Sequence, residues 1–333
     1  MRFLRGERGF MIRTCRYKTP DLPAIRELNP FLADEICFHQ DVIPESVFVA
    51  KDRKTLLGVG FLCRNPSDTH VSLEYDVNVS DARGIDAAAA LLEALTDCFR
   101  ALHEEDPERF GTLRLWCKAH ETDLREFLEA FGFRAETGMI HMGCGLDSKE
   151  PEASAGSGKS GEGMLETVFA EFRKTGLLKT EKLDLLNPAV MAEYLDANAE
   201  GFGIPDSPNE MIFRIQHCGA RVYGVTESIA LREETEAEPA GFSGKIIAAV
   251  TLWPLRDGGS ASENIFCRAE YRRKGITSGL LESLLSLLKS EGAKAAELNV
   301  YEDDLPAISM YEKCGYREKY RLLEMTLREA DGE

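Results

Sequence analysis

The chain lacks the features that mark membrane, secreted and metal-binding proteins. No apolar run reaches the roughly 18 residues of a membrane-spanning helix. The opening "MRFLRGERGF" is basic but has no apolar centre, so it does not read as a secretory signal. Residues 1–10 are expected to be a flexible tail, with a strand starting in "MIRTCRYKTPDL". The nine cysteines are odd in number and irregular in spacing, with no C-x-x-C, which excludes an obvious disulfide framework or zinc site. The six histidines show no ligand spacing either. These thiols fit a reducing cytoplasm, and no metal is expected. Basic charge is also in deficit. A net charge of −17 argues against nucleic acid or an anionic membrane as partner and suits a small cationic substrate.

What is present is a soluble globular composition, 44% hydrophobic and 29% charged, in 333 residues, a length suited to two domains. Residues 148–163, "SKEPEASAGSGKSGEG", contain nothing able to build a core and read as a flexible linker. The flanking segments, 11–147 and 164–333, read alike. Alternation and i, i+3, i+4 spacing predict strands near 11–17, 46–51, 56–63, 70–79, 112–118 and 134–145 in the first. Helices are expected at 21–32, 85–103 and 122–131. The second is expected to hold strands near 178–184, 221–226, 245–253, 263–269, 294–301 and 317–327. Its helices are expected at 188–200, 208–217, 276–290 and 305–314. The halves align through "ARGIDAAAALLEAL" with "RKGITSGLLESLL" and through "FLEAFGF" with "MYEKCGY", which indicates a duplicated domain.

In the second half, "YRRKGITSG" stands between a strand and an amphipathic helix. Gly275 lets the backbone approach a ligand closely, and the free N–H groups at 273–277 converge where the helix dipole favours an anion. Arg272, Arg273 and Lys274 add positive charge; Thr277 and Ser278 add hydroxyls. This outlines a pyrophosphate site that is neither a P-loop nor a dinucleotide fingerprint. Downstream, "ELNVYEDDLPAISMYEKCGY" predicts a strand, an acidic turn and a helix with Pro306 in its first turn.

With both segments in register, the sequence resembles the GNAT superfamily of N-acetyltransferases. The family pattern [QR]-x-x-G-x-[GA] is followed about thirty residues later by N-x-x-A-x-x-x-Y-x-x-x-G-[FY]. Arg272, Gly275, Ala307, Tyr311, Gly315 and Tyr316 match; Thr277 and Asp304 depart. The resemblance covers residues 178–327. It implies a mixed α/β (α+β) fold of two tandem GNAT-like domains, each a mostly antiparallel mixed sheet flanked by helices. It further implies acetyl-CoA as cofactor, lying between the fourth and fifth strands. Ile265, Phe266 and Cys267 would offer backbone groups to the pantetheine and thioester. Residues Arg272, Arg273, Lys274, Gly275, Ile276, Thr277 and Ser278 would hold the pyrophosphate, with Asp304 nearby. Tyr311 would protonate the leaving thiolate as an acid.

The base is not fixed by the motifs. Glu263 is the candidate on the strand beside the acyl end, Glu270 is an alternative expected to face solvent, and a water chain is a third. The loop "GFGIPDSPNE" (201–210), Phe202 and Trp253 are expected on the acceptor side. The first half keeps the apolar frame and loses the chemistry: Asp81 stands in place of Arg272, Asp86 of Thr277 and Leu128 of Tyr311. Segment 11–147 is therefore expected to be non-catalytic, and 164–333 the working acetyltransferase domain. The expected acceptor is a small-molecule primary amine, used by a monomer or homodimer. The competing readings are a non-catalytic acyl-CoA sensor or scaffold, and an enzyme acting on a protein N-terminus or lysine.

Overall fold

The computed structural model describes residues 12–64, 70–146, 178–203, 206–227, 244–255 and 257–328. The expected tail at 1–10 and linker at 148–163 lie outside the described residues. The chain divides into two compact units. The first comprises residues 1–137 and 322–333, the second residues 138–321.

The first unit contains β1 (Ile12–Arg16), α1 (Leu22–Leu28), α2 (Pro30–Phe38), β2 (Phe48–Asp52), β3 (Thr55–Cys63), β4 (His70–Val77), α3 (Gly84–Glu105), β5 (Thr112–Lys118) and α4 (Thr122–Ala130). The single helix expected at 21–32 is two. Asn29 ends α1 and caps α2, its side chain accepting from the N–H groups of Phe31 and Leu32, and Pro30 takes the first helical position. The N-P dipeptide is the signal for that break. The sheet order is β1-β2-β3-β4-β5, antiparallel except for β4 with β5. One face is covered by α3, whose Ala87, Leu91, Leu92, Leu95 and Phe99 are buried at helical spacing. Ile25, Leu32 and Ala33 of α1 and α2 cover the other.

The second unit contains β7 (Leu178–Leu183), α5 (Pro188–Phe202), α6 (Pro208–His217), β8 (Arg221–Glu227), β9 (Lys245–Pro254), β10 (Ser260–Cys267), α7 (Ile276–Ser290), β11 (Ala295–Tyr301) and α8 (Leu305–Lys313). Its sheet order is β11-β10-β9-β8-β7, with β10 and β11 parallel. Buried Ile276, Leu280, Leu281, Leu284 and Leu288 of α7 fill one face with Tyr311 and Tyr316; Tyr194, Ala197 and Met211 of α5 and α6 fill the other. β10 starts three residues earlier than expected and ends two earlier. Its first turn of alternation is carried by Ser260 and Ser262, both buried, and buried serines give no apolar signal.

The strands β6 (Arg134–Gly145) and β12 (Arg317–Arg328) do not stay with the halves that encode them. β6 enters the second unit at Gly138 and pairs antiparallel with β11, Met139 opposite Tyr301 through Gly145 opposite Ala295. From Leu322 onward β12 belongs to the first unit and pairs antiparallel with β5. Compact packing therefore divides the chain differently from the expected boundaries at 147 and 164. The reason lies in burial: Ile140, Met142 and Leu146 complete the core under α7, and Met325 and Leu327 complete the core under α3.

Candidate active site

The parallel ladder between β10 and β11 is short, running from Ser260–Ala296 to Ser262–Leu298. Both strands continue, β10 to Cys267 and β11 to Tyr301, without further pairing to each other among the described residues. The cause of the divergence is visible in β10. Its register with β9 shifts between Glu263 and Phe266, and Asn264 takes φ +50°. This bulge bends the strand away and leaves the edge of residues 264–267 open toward the gap.

At the end of β10 the chain makes a short 3-10 turn at Ala269–Tyr271 and enters α7. Gly275 is the N-cap in the left-handed region at φ +74°, and Arg273 is also left-handed at +61°. The first N–H to join the helical ladder is that of Gly279, donating to the Gly275 carbonyl at 2.9 Å. No side chain caps this end, so the N–H groups of Ile276, Thr277 and Ser278 point outward together. Arg272, Arg273 and Lys274 are exposed beside them; Ile276 is buried and contributes only backbone. The Arg272 Nε is tied back to the Cys267 carbonyl at 3.0 Å. Thr277 is hydrogen bonded to the Cys267 thiol, which brings its side chain back to β10. Burial raises the pKa of that thiol, as befits a packing residue.

Asp304 is the N-cap of α8, its Oδ1 accepting from Ala307 N at 3.1 Å. Asp and Asn cap equally well, which accounts for the departure from Asn at this position. Tyr311 is buried against Tyr316, the rings edge-on at 6.1 Å. Burial, and then the charge of Asp304, push its phenol well above the ordinary tyrosine range, so it carries its proton at neutral pH. The left-handed Gly315 (φ +96°) closes the helix, with Tyr316 N bonded to Tyr311 O at 3.0 Å.

On the other face of the sheet, Glu263, the candidate base, is not free. Its carboxylate is ion-paired to Arg214 of α6, which also pairs with Glu210. The Arg214 guanidinium lies 5.0 Å from the centre of the Trp253 ring. Burial would lower the Arg214 pKa, but the two carboxylates outweigh it and raise it. Glu270 is exposed, as expected, and pairs with Lys245. Phe202 is exposed and stands edge-on to Phe266 at 6.3 Å.

The loop between α5 and α6 holds a residue that sequence reasoning missed. Asp206 Oδ2 accepts from Asn264 Nδ2 at 2.7 Å, Tyr194 OH at 3.1 Å and Asn198 Nδ2 at 3.1 Å, and Asp206 N donates to Asn198 Oδ1 at 2.9 Å. Burial raises its pKa to about 6, and nearby Glu210 and Glu263 add to the rise. The i, i+4 placement of Tyr194 and Asn198 on α5 was the one local signal.

Residues 214–316 match the acetyltransferase (GNAT) family model. None of the curated proteins matches the chain in sequence. Among solved structures, it is similar to a GCN5-related N-acetyltransferase from Sphaerobacter thermophilus (16% identity, 95% of each chain covered, TM-score 0.61). It is also similar to a tandem GNAT protein from the clavulanic acid biosynthesis pathway (12% identity, 97% of this chain and 100% of that one, TM-score 0.63). A third is the glucosamine N-acetyltransferase region of a fungal multi-domain β-N-acetylglucosaminidase (15% identity, 96% of this chain and 38% of that one, TM-score 0.56). The chain therefore matches the GNAT family model over residues 214–316 and shares the mixed α/β fold of these proteins.

Proposed function

We propose that the second unit transfers an acetyl group from acetyl-CoA to a primary amine of a small molecule. The observation that carries the proposal is the end of the β10–β11 ladder at Ser262, where the opened strand edge leads directly to the uncapped N-terminus of α7. The residues there suit a coenzyme A pyrophosphate. A left-handed glycine, outward N–H groups at 276–278 and three exposed cationic side chains supply hydrogen bonds and charge without a large side chain in the way. When bound, acetyl-CoA supplies an activated thioester, so the protein's share of the work is positioning and polarisation. Backbone groups of Ile265, Phe266 and Cys267 line the open edge of β10. Tyr311, kept protonated by its burial, holds a proton for the departing sulfur.

The acceptor side supports an amine. Asp206, Glu210 and Glu263 gather there around Arg214. A small acceptor is supported by the aromatic surfaces of Phe202 and Trp253 and by the half-buried setting of Asp206. Calorimetric titration of acetyl-CoA into the full-length protein tests the proposal. One site per chain is the expected result; absence of binding would remove the acetyl-CoA reading and leave only the family fold.

A further inference from the structure

The hydrogen bonds of Asp206 are unevenly shared between its two carboxylate oxygens. Three donors converge on Oδ2, which fixes the group against the bulge of β10 through Asn264. Among the described residues, Oδ1 receives no hydrogen bond, and the residue is part-buried rather than sealed in the core. One oxygen is anchored at the point where β10 leaves β11, and the other carries no hydrogen bond among the described residues. The described polar and charged groups that act on it are Tyr194 and Asn198 on α5, Glu210 and Arg214 on α6, and Glu263 and Asn264 on β10. Glu263 and Glu210 share the cation of Arg214, which leaves Asp206 as the carboxylate of this group without an ion-pair partner among the described residues.

We propose that Asp206, not Glu263, accepts the proton of the attacking ammonium group through Oδ1. This inference rests on the acetyltransferase reading. The ammonium gives one proton to Asp206, which later releases it to solvent. The freed nitrogen lone pair forms the new C–N bond as the C–S bond breaks. Tyr311 gives its proton to sulfur and recovers one from the nitrogen that has become an amide. No oxidant or further reactant is needed. The charge balance is also right: a half-buried carboxylate whose pKa lies near 6 is ionised at neutral pH yet basic enough to take a proton.

The test uses the full-length protein with acetyl-CoA and three amine probes, spermidine, glucosamine and lysine, with water as a fourth acceptor. Free thiol release reports on all four. For the wild type, turnover should rise with pH through about 6 and then level. Asp206→Asn should lose about 100-fold or more in kcat and lose that rise, while calorimetric acetyl-CoA affinity stays within about twofold. Tyr194→Phe removes a donor to the carboxylate, so the rise should move to higher pH with the plateau retained. A readout without turnover comes from carbon-13 NMR of labelled aspartate carboxyls: one resonance should titrate near 6 and vanish in Asp206→Asn.

An Asp206→Asn variant that keeps both the rate and the pH rise would overturn the role of Asp206 alone. So would an unmoved profile in Tyr194→Phe, or a wild type that binds acetyl-CoA but releases no thiol with any probe. A wild type that binds no acetyl-CoA would instead overturn the acetyltransferase reading itself.

Discussion

The two units are built on one plan and differ where a ligand would bind. In each, the fourth and fifth strands pair in parallel over a short stretch: His70–Thr112 to Ser72–Arg114 in one, Ser260–Ala296 to Ser262–Leu298 in the other. In each, a left-handed glycine closes the last helix, Gly132 at φ +95° and Gly315 at +96°, with equivalent bonds from Phe133 N to Leu128 O and from Tyr316 N to Tyr311 O. Then they part. β4 pairs with β3 without a shift from Ser72 to Val77, whereas β10 has its bulge. At the N-terminus of α3, Arg83 is the N-cap at φ −91° and its guanidinium bonds both Asp81 and Asp52. That bonding holds the Asp81 carboxyl down at about 2. At the matching position the first unit therefore holds an ion pair, and the opposing charge that the sequence suggested is met by Arg83. The comparison teaches that the shared frame is a packing solution, and that the bulge and the helix entry are what set the second unit apart.

The largest effect should come from separating the units at residue 164. A fragment of residues 164–333 lacks β6, so β11 loses its antiparallel partner and the core under α7 loses Ile140, Met142 and Leu146. We expect no cooperative thermal transition from this fragment, measured by circular dichroism, because an apolar strand edge and an open core cannot offset chain entropy. A fragment that melts like the full-length protein would mean that the strand exchange contributes little.

That exchange marks the limit of what the sequence could tell. The elements, the duplicated pattern and the helix-entry motif were legible because each rests on local spacing: Gly275 with Arg272, Tyr311 with Gly315. The partner of an outer strand is not local. "RAETGMIHMGCG" and "REKYRLLEMTLR" both read as strands, and neither says which sheet it joins. Asp206 was hidden for a related reason. It is one of 57 acidic residues, and its character comes from Tyr194 and Asn198 on a preceding helix and from Asn264, 58 residues further on. The ion pair of candidate Glu263 was hidden in the same way, because Arg214 lies 49 residues earlier in the chain.

The next effects contrast the two equivalent helix positions. Leu128 is fully buried, and Leu128→Ala should cost about 2–5 kcal/mol of stability, read as a fall in the denaturant midpoint. Tyr311→Phe conserves the ring and should leave stability nearly unchanged, while slowing thiol release by about 100-fold with acetyl-CoA affinity retained. Equal turnover in the Phe variant would remove the acid role of Tyr311 and make the two positions alike.

Asp206 gives a smaller effect with a defined sign. Its folded-state pKa is raised, from 3.8 to about 6, so the neutral form is the one folding favours. The stability this contributes is fully present below the unfolded value and is lost as pH rises through about 6. At pH 8 the ionised carboxylate therefore costs about 3 kcal/mol. Asp206→Asn should stabilise the protein by about that amount at pH 8 and by nearly nothing at pH 4, measured by urea melts at both. The first unit offers a control: Asp81, its pKa lowered by Arg83, should behave in the opposite sense, with its contribution fading as the solution is acidified through about 2.

The smallest effect, about 1 kcal/mol in stability, is expected for Gly275→Ala, because alanine tolerates φ +74° poorly but the site is at a helix entry with solvent around it. Its value lies in what accompanies it. If the outward N–H groups of 276–278 hold a pyrophosphate, any shift of the entry that relieves the strained alanine also turns those groups, and acetyl-CoA affinity should fall by about tenfold in calorimetry. Gly84 is the matched position, and there the demand is steric: a Cβ would stand 2.5 Å from the Asn78 carbonyl oxygen. Gly84→Ala should therefore lower stability and leave acetyl-CoA affinity untouched. If both variants weakened binding, the first unit would not be silent; if neither did, the glycine at the entry of α7 would be there for packing, as its counterpart is at the entry of α3.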